Sequence, residues 1–342
     1  MSIRVAVNGC GRIGRTFLRL AIKNSEIDLV AINDLGDLAN IAYLVQHDSV
    51  YGSAPFSVAT NEATKKLILG GKEIYFLSEK DPKLLPWKDL NIDVVIESTG
   101  LFTSYEKSKA HLDAGAKRVV VTAPMKDEPA DIAGATVLMG VNEEELQKCV
   151  ITSDASCTTN AASPLIAILD EGLGIEKAVL NTVHAHTASQ PIVDAPNKKD
   201  FREGRAGANN IVPTSTGAAI AVTKAFPKLE GLFDGIAIRV PVIAGSIVDV
   251  TFVSKRSTTV EEVNNLLISA ANEKRWSKIF SVTEEPLVSS DIVGSPFGSI
   301  ADLKLTRVVG GNLVKVMAWY DNEMGYCYTL LEHVLRAGNN KS

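Results

Sequence analysis

The sequence predicts an α/β protein of two parts: a mostly parallel, doubly wound sheet first, and an α+β domain after it. Three observations carry this. The first half alternates apolar strand-length runs with amphipathic helical runs. The second half spaces alternating strands more widely, with helices between them. At 342 residues the chain is also too long for one ordinary core.

Taken in order, "IRVAVNG" reads as a buried strand and "RTFLRLAIKN" as an amphipathic helix. "IDLVAIND", "IDVVIESTG" and "RVVVTAP" read as further strands, and "TSYEKSKAHLDAGA", ending in Gly115, lies as a helix between the last two. "SDASCTTN" leads into the helical "AASPLIAILDEGLG". The strands "KAVLNTVHA", "GIAIRVPV", "SIVDVTFVSK" and "LVKVMAWYD" follow, with the helix "TVEEVNNLLISAANEK" among them. "MGYCYTLLEHVLRAG" closes the chain as an amphipathic helix.

Composition narrows the class. Apolar residues make up 46% and charged residues 22%, as in ordinary soluble globular chains. No apolar run approaches the ~18 residues of a membrane span. "MSIRVAV" enters a strand directly, so no membrane association and no cleavable signal are expected. Four cysteines (Cys10, Cys149, Cys157, Cys327) form neither a disulfide framework nor a metal-ligand spacing, which fits reduced thiols in cytoplasm. A net charge of −5 gives no general reason to expect nucleic acid.

"NGCGRIG" sets Gly9, Gly11 and Gly14 in the G-x-G-x-x-G spacing, after a strand and at the start of a helix. The first glycine permits the tight turn, and the second lets backbone approach a pyrophosphate. The third lets helix pack closely on strand, with the helix N-terminus facing the phosphates. Asp34 ends the second strand, 20 residues beyond Gly14, where a carboxylate suits the ribose hydroxyls of NAD and repels the 2′-phosphate of NADP. A Rossmann-type sheet that binds NAD is the expectation.

Cys157 stands among Ser156, Thr158, Thr159 and Asn160 rather than apolar neighbours, just ahead of a helix. Backbone N–H groups and the helix dipole stabilise a thiolate there. A Cys–His pair would lower the thiol pKa further and move protons. His47, His111 and His333 lie in helix-like segments that suit packing or surface roles. His184 and His186, in "NTVHAHTASQ", are two apart at a strand end, so alternation alone does not choose between them.

Together, "NGCGRIGR", "AIND", "ESTGLF", "VVVTAP", "SDASCTTN", "TVHAHTASQ", "PTSTGAA", "IRVP" and "WYDNEMGY" resemble the phosphorylating glyceraldehyde-3-phosphate dehydrogenases nearly end to end. The resemblance implies residues 1–156 as an NAD-binding Rossmann domain, to which a C-terminal helix over 323–342 returns. It implies residues 157–322 as an α+β catalytic domain with a mixed, mainly antiparallel sheet. It makes Cys157 the nucleophile and chooses His184 as general base. Arg12 and Ile13 then match the pyrophosphate turn, Asp34 the adenosine ribose ligand, Lys80 and Thr122 other cofactor contacts, and Asn322 the holder of the nicotinamide carboxamide. Ser156, Thr158, Thr187, Thr216, Gly217 and Arg239 match phosphate-binding positions.

The implied reaction is NAD-dependent oxidation of glyceraldehyde 3-phosphate, with inorganic phosphate taken up, through a cysteine thiohemiacetal and thioester. Its place would be glycolysis or gluconeogenesis in the cytoplasm. The stretch "HTASQPIVDAPNKKDFREGRAGANNIVP" resembles the family's S-shaped loop and implies a homotetramer, while Pro196 with Asp34 is the pattern of NAD users. Three positions depart from the pattern. Ala161 replaces a frequent second cysteine, Asp154 an asparagine, and Met324 a tryptophan. Erythrose-4-phosphate dehydrogenase is the alternative activity, although it tends to lack the threonine that Thr187 supplies. A module that keeps NAD without turnover is disfavoured by intact Cys157, His184, Thr187 and Arg239.

Overall fold

A computed structural model describes residues 2–198 and 200–339. The expected C-terminal helix therefore has its last three residues outside the described part, as does Lys199 of the long loop. The chain divides into two compact units, residues 1–155 with 330–342, and residues 156–329.

The first unit opens with β1 (Ile3–Asn8), α1 (Arg12–Ala21), β2 (Ile27–Asn33) and α2 (Leu38–Gln46). A two-residue ladder, β3 (His47–Asp48) with β4 (Gly52–Ser53), precedes β5 (Val58–Asn61), β6 (Lys66–Leu69) and β7 (Lys72–Leu77). Then come β8 (Val94–Glu97), α3 (Tyr105–Asp113), β9 (Arg118–Val121), β10 (Gly134–Thr136) and β11 (Ile151–Ser153). They form one nine-stranded sheet in the order β10-β11-β9-β8-β1-β2-β7-β6-β5. All pairings from β10 to β7 are parallel, and only the β7-β6-β5 edge is antiparallel. The chain winds outward from β1 to one side through β2 and later to the other through β8. The strand order thus reverses beside β1, where doubly wound sheets bind ligands. The core is near-continuously apolar, as both-side burial requires, with Ala6, Val30, Ala31, Trp87, Ile92 and Val95 in one cluster.

The second unit begins with α4 (Cys157–Leu173), whose side chains are almost all buried, and β12 (Ile175–Ala185). It continues through β13 (Val212–Ser215), α5 (Ala218–Ala225), β14 (Phe233–Val240), β15 (Ser246–Ser254) and α6 (Val260–Ala271). Strands β16 (Phe280–Thr283), β17 (Ser299–Asp302), β18 (Arg307–Val309) and β19 (Leu313–Tyr320) complete an eight-stranded sheet, ordered β13-β14-β12-β15-β19-β17-β16 with β18 on β19. Only β12–β14 and β16–β17 are parallel, so the sheet is mixed and mainly antiparallel. Helix α4 lies against β12, β15, β17 and β19. The last helix, α7 (Met324–Asn339), starts in the second unit and passes into the first at Leu330. The sequence reading places the breaks after residues 156 and 322; the second falls later here because one uninterrupted helix makes the crossing. No described helix is long and apolar enough to cross a membrane.

Candidate active site

The first unit holds a pocket of about 360 Å³ at the C-terminal ends of β1, β2 and β8, lined by Gly9, Gly11, Asn33, Asp34, Lys80 and Thr99 among others. Glycines shape the turn beside it. Gly9 has φ +99°, and a Cβ there would sit 2.8 Å from the Thr99 nitrogen. A Cβ at Gly14 would meet the Gly9 carbonyl oxygen at 2.1 Å, so only glycine lets α1 lie this close to the turn. At Gly11 a Cβ would meet nothing within 4 Å, so this side of the turn is open. Asp34 is oriented at both oxygens, accepting from the Cys10 N–H at 2.6 Å and from the Gly36 N–H at 2.8 Å. Arg12 and Ile13 open α1 beside the pocket. The Arg12 guanidinium forks onto Asp48 at 2.5 and 3.2 Å, which holds the Asp48 carboxyl below the usual range against its burial. Thr122 follows β9 and bonds the Glu97 carbonyl through both its N–H and its hydroxyl. This donor set fits a dinucleotide with a free 2′-hydroxyl.

In the second unit the first turn of α4 is capped by Ser156, whose Oγ accepts from the Thr159 N–H at 3.2 Å. Cys157 is the first helical residue, and its Sγ lies 3.4 Å from Nε2 of His184. His184 reaches it from the end of β12, on the buried face shared by Ala178, Leu180 and Thr182. The strand stops at Ala185. His186 lies beyond it, where its N–H bonds the Val242 carbonyl, and only His184 joins Cys157. On the neighbouring parallel strand β14, Arg239 is the register partner of His184. Its Nη1 is 2.5 Å from His184 Nδ1, and the Ala185 carbonyl oxygen is 2.6 Å from the same nitrogen. A neutral ring nitrogen donates to the carbonyl or accepts from the guanidinium, never both. Donation to Ala185 leaves the Nε2 lone pair facing Cys157, which is the form that acts as a base.

Electrostatics departs from the expectation of a lowered thiol pKa. Burial pushes the Cys157 thiol up, although the Arg239 charge and the N–H groups of the helix start pull it down. Burial first and the Arg239 charge second bring His184 down to about 3, against the opposing bond to Ala185. A helix start contributes about 0.3–1 kcal/mol, up to ~2; desolvating an ion costs several kcal/mol, so burial wins. Both shifts favour the uncharged form of each group.

The remaining positions spread around this group. Thr158 is buried, and its hydroxyl joins Tyr320 Oη at 2.9 Å, which continues to Thr182 Oγ1 at 2.7 Å. Its hydroxyl also bonds toward the Cys157 sulfur, where it helps pull the thiol down. Thr216 and Gly217 precede α5, and Thr216 Oγ1 accepts from the Ala218 N–H at 3.2 Å. Thr187 Oγ1 bonds Ser189 Oγ at 2.9 Å. Among the described residues, none of these three shares a hydrogen bond with Cys157, His184 or Arg239. Asn322 is buried, and its Oδ1 accepts from the Gly245 N–H and the Ser246 hydroxyl, both at 3.1 Å.

Comparison with known proteins now bears on this geometry. Residues 3–105 match the glyceraldehyde 3-phosphate dehydrogenase NAD binding domain, and residues 156–322 match the C-terminal domain of the same family. The chain is 44% identical over 342 residues to glyceraldehyde-3-phosphate dehydrogenase 1 of Streptomyces avermitilis, covering 99% of each. This chain belongs to the glyceraldehyde 3-phosphate dehydrogenase family. Glyceraldehyde-3-phosphate dehydrogenases of Geobacillus stearothermophilus (44% over 334 residues, 97% of each chain) and Mycolicibacterium smegmatis (45% over 348 residues, 99% of this chain and 100% of the relative) are similar throughout. As a glyceraldehyde 3-phosphate dehydrogenase family member it is an oxidoreductase, and its first unit carries the family's NAD-binding domain. Sequence reasoning did not single out Tyr320 or Thr182. The edge of the Tyr320 ring meets His184, with centroids 5.9 Å apart and planes at 72°. The one sequence signal was the position of each: Tyr320 two residues before Asn322, and Thr182 two before His184.

Proposed function

We propose that the protein oxidises glyceraldehyde 3-phosphate with NAD⁺ and inorganic phosphate to 1,3-bisphosphoglycerate. The observation that carries this reading is the 3.4 Å Sγ–Nε2 approach, with Arg239 on the far side of the same imidazole. The Cys157 sulfur attacks the aldehyde carbon as its proton passes through Nε2 to the aldehyde oxygen, giving a thiohemiacetal. His184 then withdraws that hydroxyl proton, which lets the carbon release hydride, and Nδ1–H donating to Ala185 supports the imidazolium. NAD⁺, when bound, supplies the hydride acceptor. Gly9, Gly11, Arg12, Ile13, Gly14, Asp34, Lys80, Thr122 and Asn322 would hold it. Cys157 is left as a thioester, whose carbon a phosphate oxygen attacks; the thiolate leaves and takes its proton back from His184.

Two anions need sites, one on the substrate and one attacking. Arg239 and Thr187 suit the first, and Ser156, Thr158, Thr216 and Gly217 serve either. An anion that draws Arg239 away from Nδ1 favours the base form of His184, so substrate binding and base formation support one another.

A homotetramer, a cytoplasmic setting and a place in glycolysis or gluconeogenesis belong to the same proposal. Ile192 and Phe201, 86% and 87% exposed, crown the long loop, with Val193 and Ile211 also exposed. Val179 and Ile236 are exposed on the second unit's sheet. Apolar surface on this scale supports burial against further copies of the chain. The test is formation of reduced nicotinamide from glyceraldehyde 3-phosphate and NAD⁺, with and without inorganic phosphate, beside erythrose 4-phosphate. Turnover on the triose that needs phosphate is expected. Turnover on erythrose 4-phosphate alone would reassign the substrate.

A further inference from the structure

The acid ahead of the nucleophile has a partner of its own. Asp154, wholly buried, faces His333 of α7, also wholly buried, with Nδ1 3.1 Å from the carboxylate. Nε2 of His333 lies 2.8 Å from the hydroxyl of Thr152. That hydroxyl either donates to Nε2 or accepts from it, so the chain of bonds is complete whether the ring is neutral or charged. All three residues lie in the first unit. The chain leaves this unit between Ala155 and Ser156 and re-enters it between Thr329 and Leu330. The pair therefore joins the last residues before the exit to the first helical turn after the return.

The segment it holds is strained. Ala155, between Asp154 and the cap residue Ser156, has φ 52° and is wholly buried. A side chain in that left-handed region persists only where its surroundings fix it. The surroundings do so here. The Ala155 N–H donates to Ser153 Oγ at 3.0 Å, and Ser153 Oγ donates to the Ala123 carbonyl at 2.7 Å. The Asp154 N–H donates to the Val121 carbonyl at 3.0 Å. The carboxylate on His333 supplies a further restraint, from an element distant in sequence.

We propose that Asp154 and His333 are a buried positioning pair, fixing the backbone that leads into Cys157 and so the reactivity of its thiol. The pair rests on the reading of Cys157 as nucleophile. It also gives Asp154, which departs from the family's asparagine, a partner: the carboxylate is engaged with the imidazole.

The test compares Asp154→Ala, Asp154→Asn, His333→Leu and the wild type. It follows the second-order rate of Cys157 alkylation by iodoacetamide (located by peptide mass), kcat, the Kd for NAD⁺ and the thermal midpoint. Asp154→Ala and His333→Leu should slow alkylation and lower kcat by about fivefold or more, with the Kd for NAD⁺ within about twofold. Asp154→Asn keeps an acceptor for Nδ1–H and should recover most of the loss. If Asp154→Ala does not fold, Thr152→Val, which removes only the hydroxyl behind His333, should move both rates in the same direction. Rates within about twofold of wild type in folded Asp154→Ala and His333→Leu, with only the midpoint lowered, would overturn the proposal and leave packing. A folded Cys157→Ser protein that turns over at the wild-type rate would instead overturn the nucleophile reading itself.

Discussion

The nucleotide pocket around Gly9 and Asp34 turns on a tight glycine bend at positions 9, 11 and 14, whereas the Cys157 group is made of side chains from positions 157, 184 and 239. The first depends on what is missing, since a Cβ at Gly14 would lie 2.1 Å from a carbonyl oxygen. The second depends on register, since parallel pairing of β12 with β14 sets His184 opposite Arg239. A glycine bend tolerates changes of side chain around it and fails when a Cβ is added. A side-chain site fails when any one member is removed, because each sets the protonation of the next.

The largest effect that would break this comparison is at the base. His184→Asn should lower kcat by about 10²–10⁴, with little change in the Kd for NAD⁺, as measured by steady-state rates and fluorescence titration. Comparable losses in both would mean that the two regions are not separable.

Arg239→Gln comes next, with KM for the phosphorylated substrate rising about 10-fold or more for a lost charge-assisted bond. It also carries a signed pH effect. The Arg239 charge helps bring His184 down to about 3, so its removal raises the pKa and moves the acid limb of kcat/KM to higher pH. For stability the sign follows from linkage. His184 titrates at about 3 when folded against 6.5 in its ordinary state, so the unfolded chain binds more protons between those values. The contribution of His184 is present above pH ~6.5 and lost as pH falls toward ~3. His184→Asn should flatten that part of a denaturation series.

At the nucleotide pocket the expected effect is smaller. NAD should be preferred over NADP by at least ~10-fold in kcat/KM, about 1.4 kcal/mol, and Asp34→Ala should narrow the ratio. Equal rates with both coenzymes in the wild type would contradict the role given to Asp34. Smallest is a null effect: with Ala161 buried in α4 and every cysteine free, peroxide should leave no intramolecular disulfide at Cys157 by mass spectrometry.

The same contrast explains what was legible in the sequence. Glycine spacing and the alternation of strand and helix are local signals, and they foretold the mostly parallel, doubly wound first sheet and an α+β second half; the mixed, mainly antiparallel second sheet came from family resemblance. The choice of His184 over His186 was not local. It turned on β12 ending at Ala185, and only family resemblance anticipated it. The contact of Arg239 with Nδ1 spans 55 positions, and the Asp154–His333 bond 179. No pattern along the chain announces such contacts. For the thiol, the helix start that lowers its pKa is visible in sequence, whereas the desolvation that raises it is not.

The most direct test of Cys157 as acyl carrier is mass analysis of the enzyme mixed with glyceraldehyde 3-phosphate and NAD⁺ in phosphate-free buffer. The account predicts one acyl group on the Cys157 peptide, removed when inorganic phosphate is added. An unmodified Cys157 under turnover conditions, or an acyl group on another residue, would contradict it.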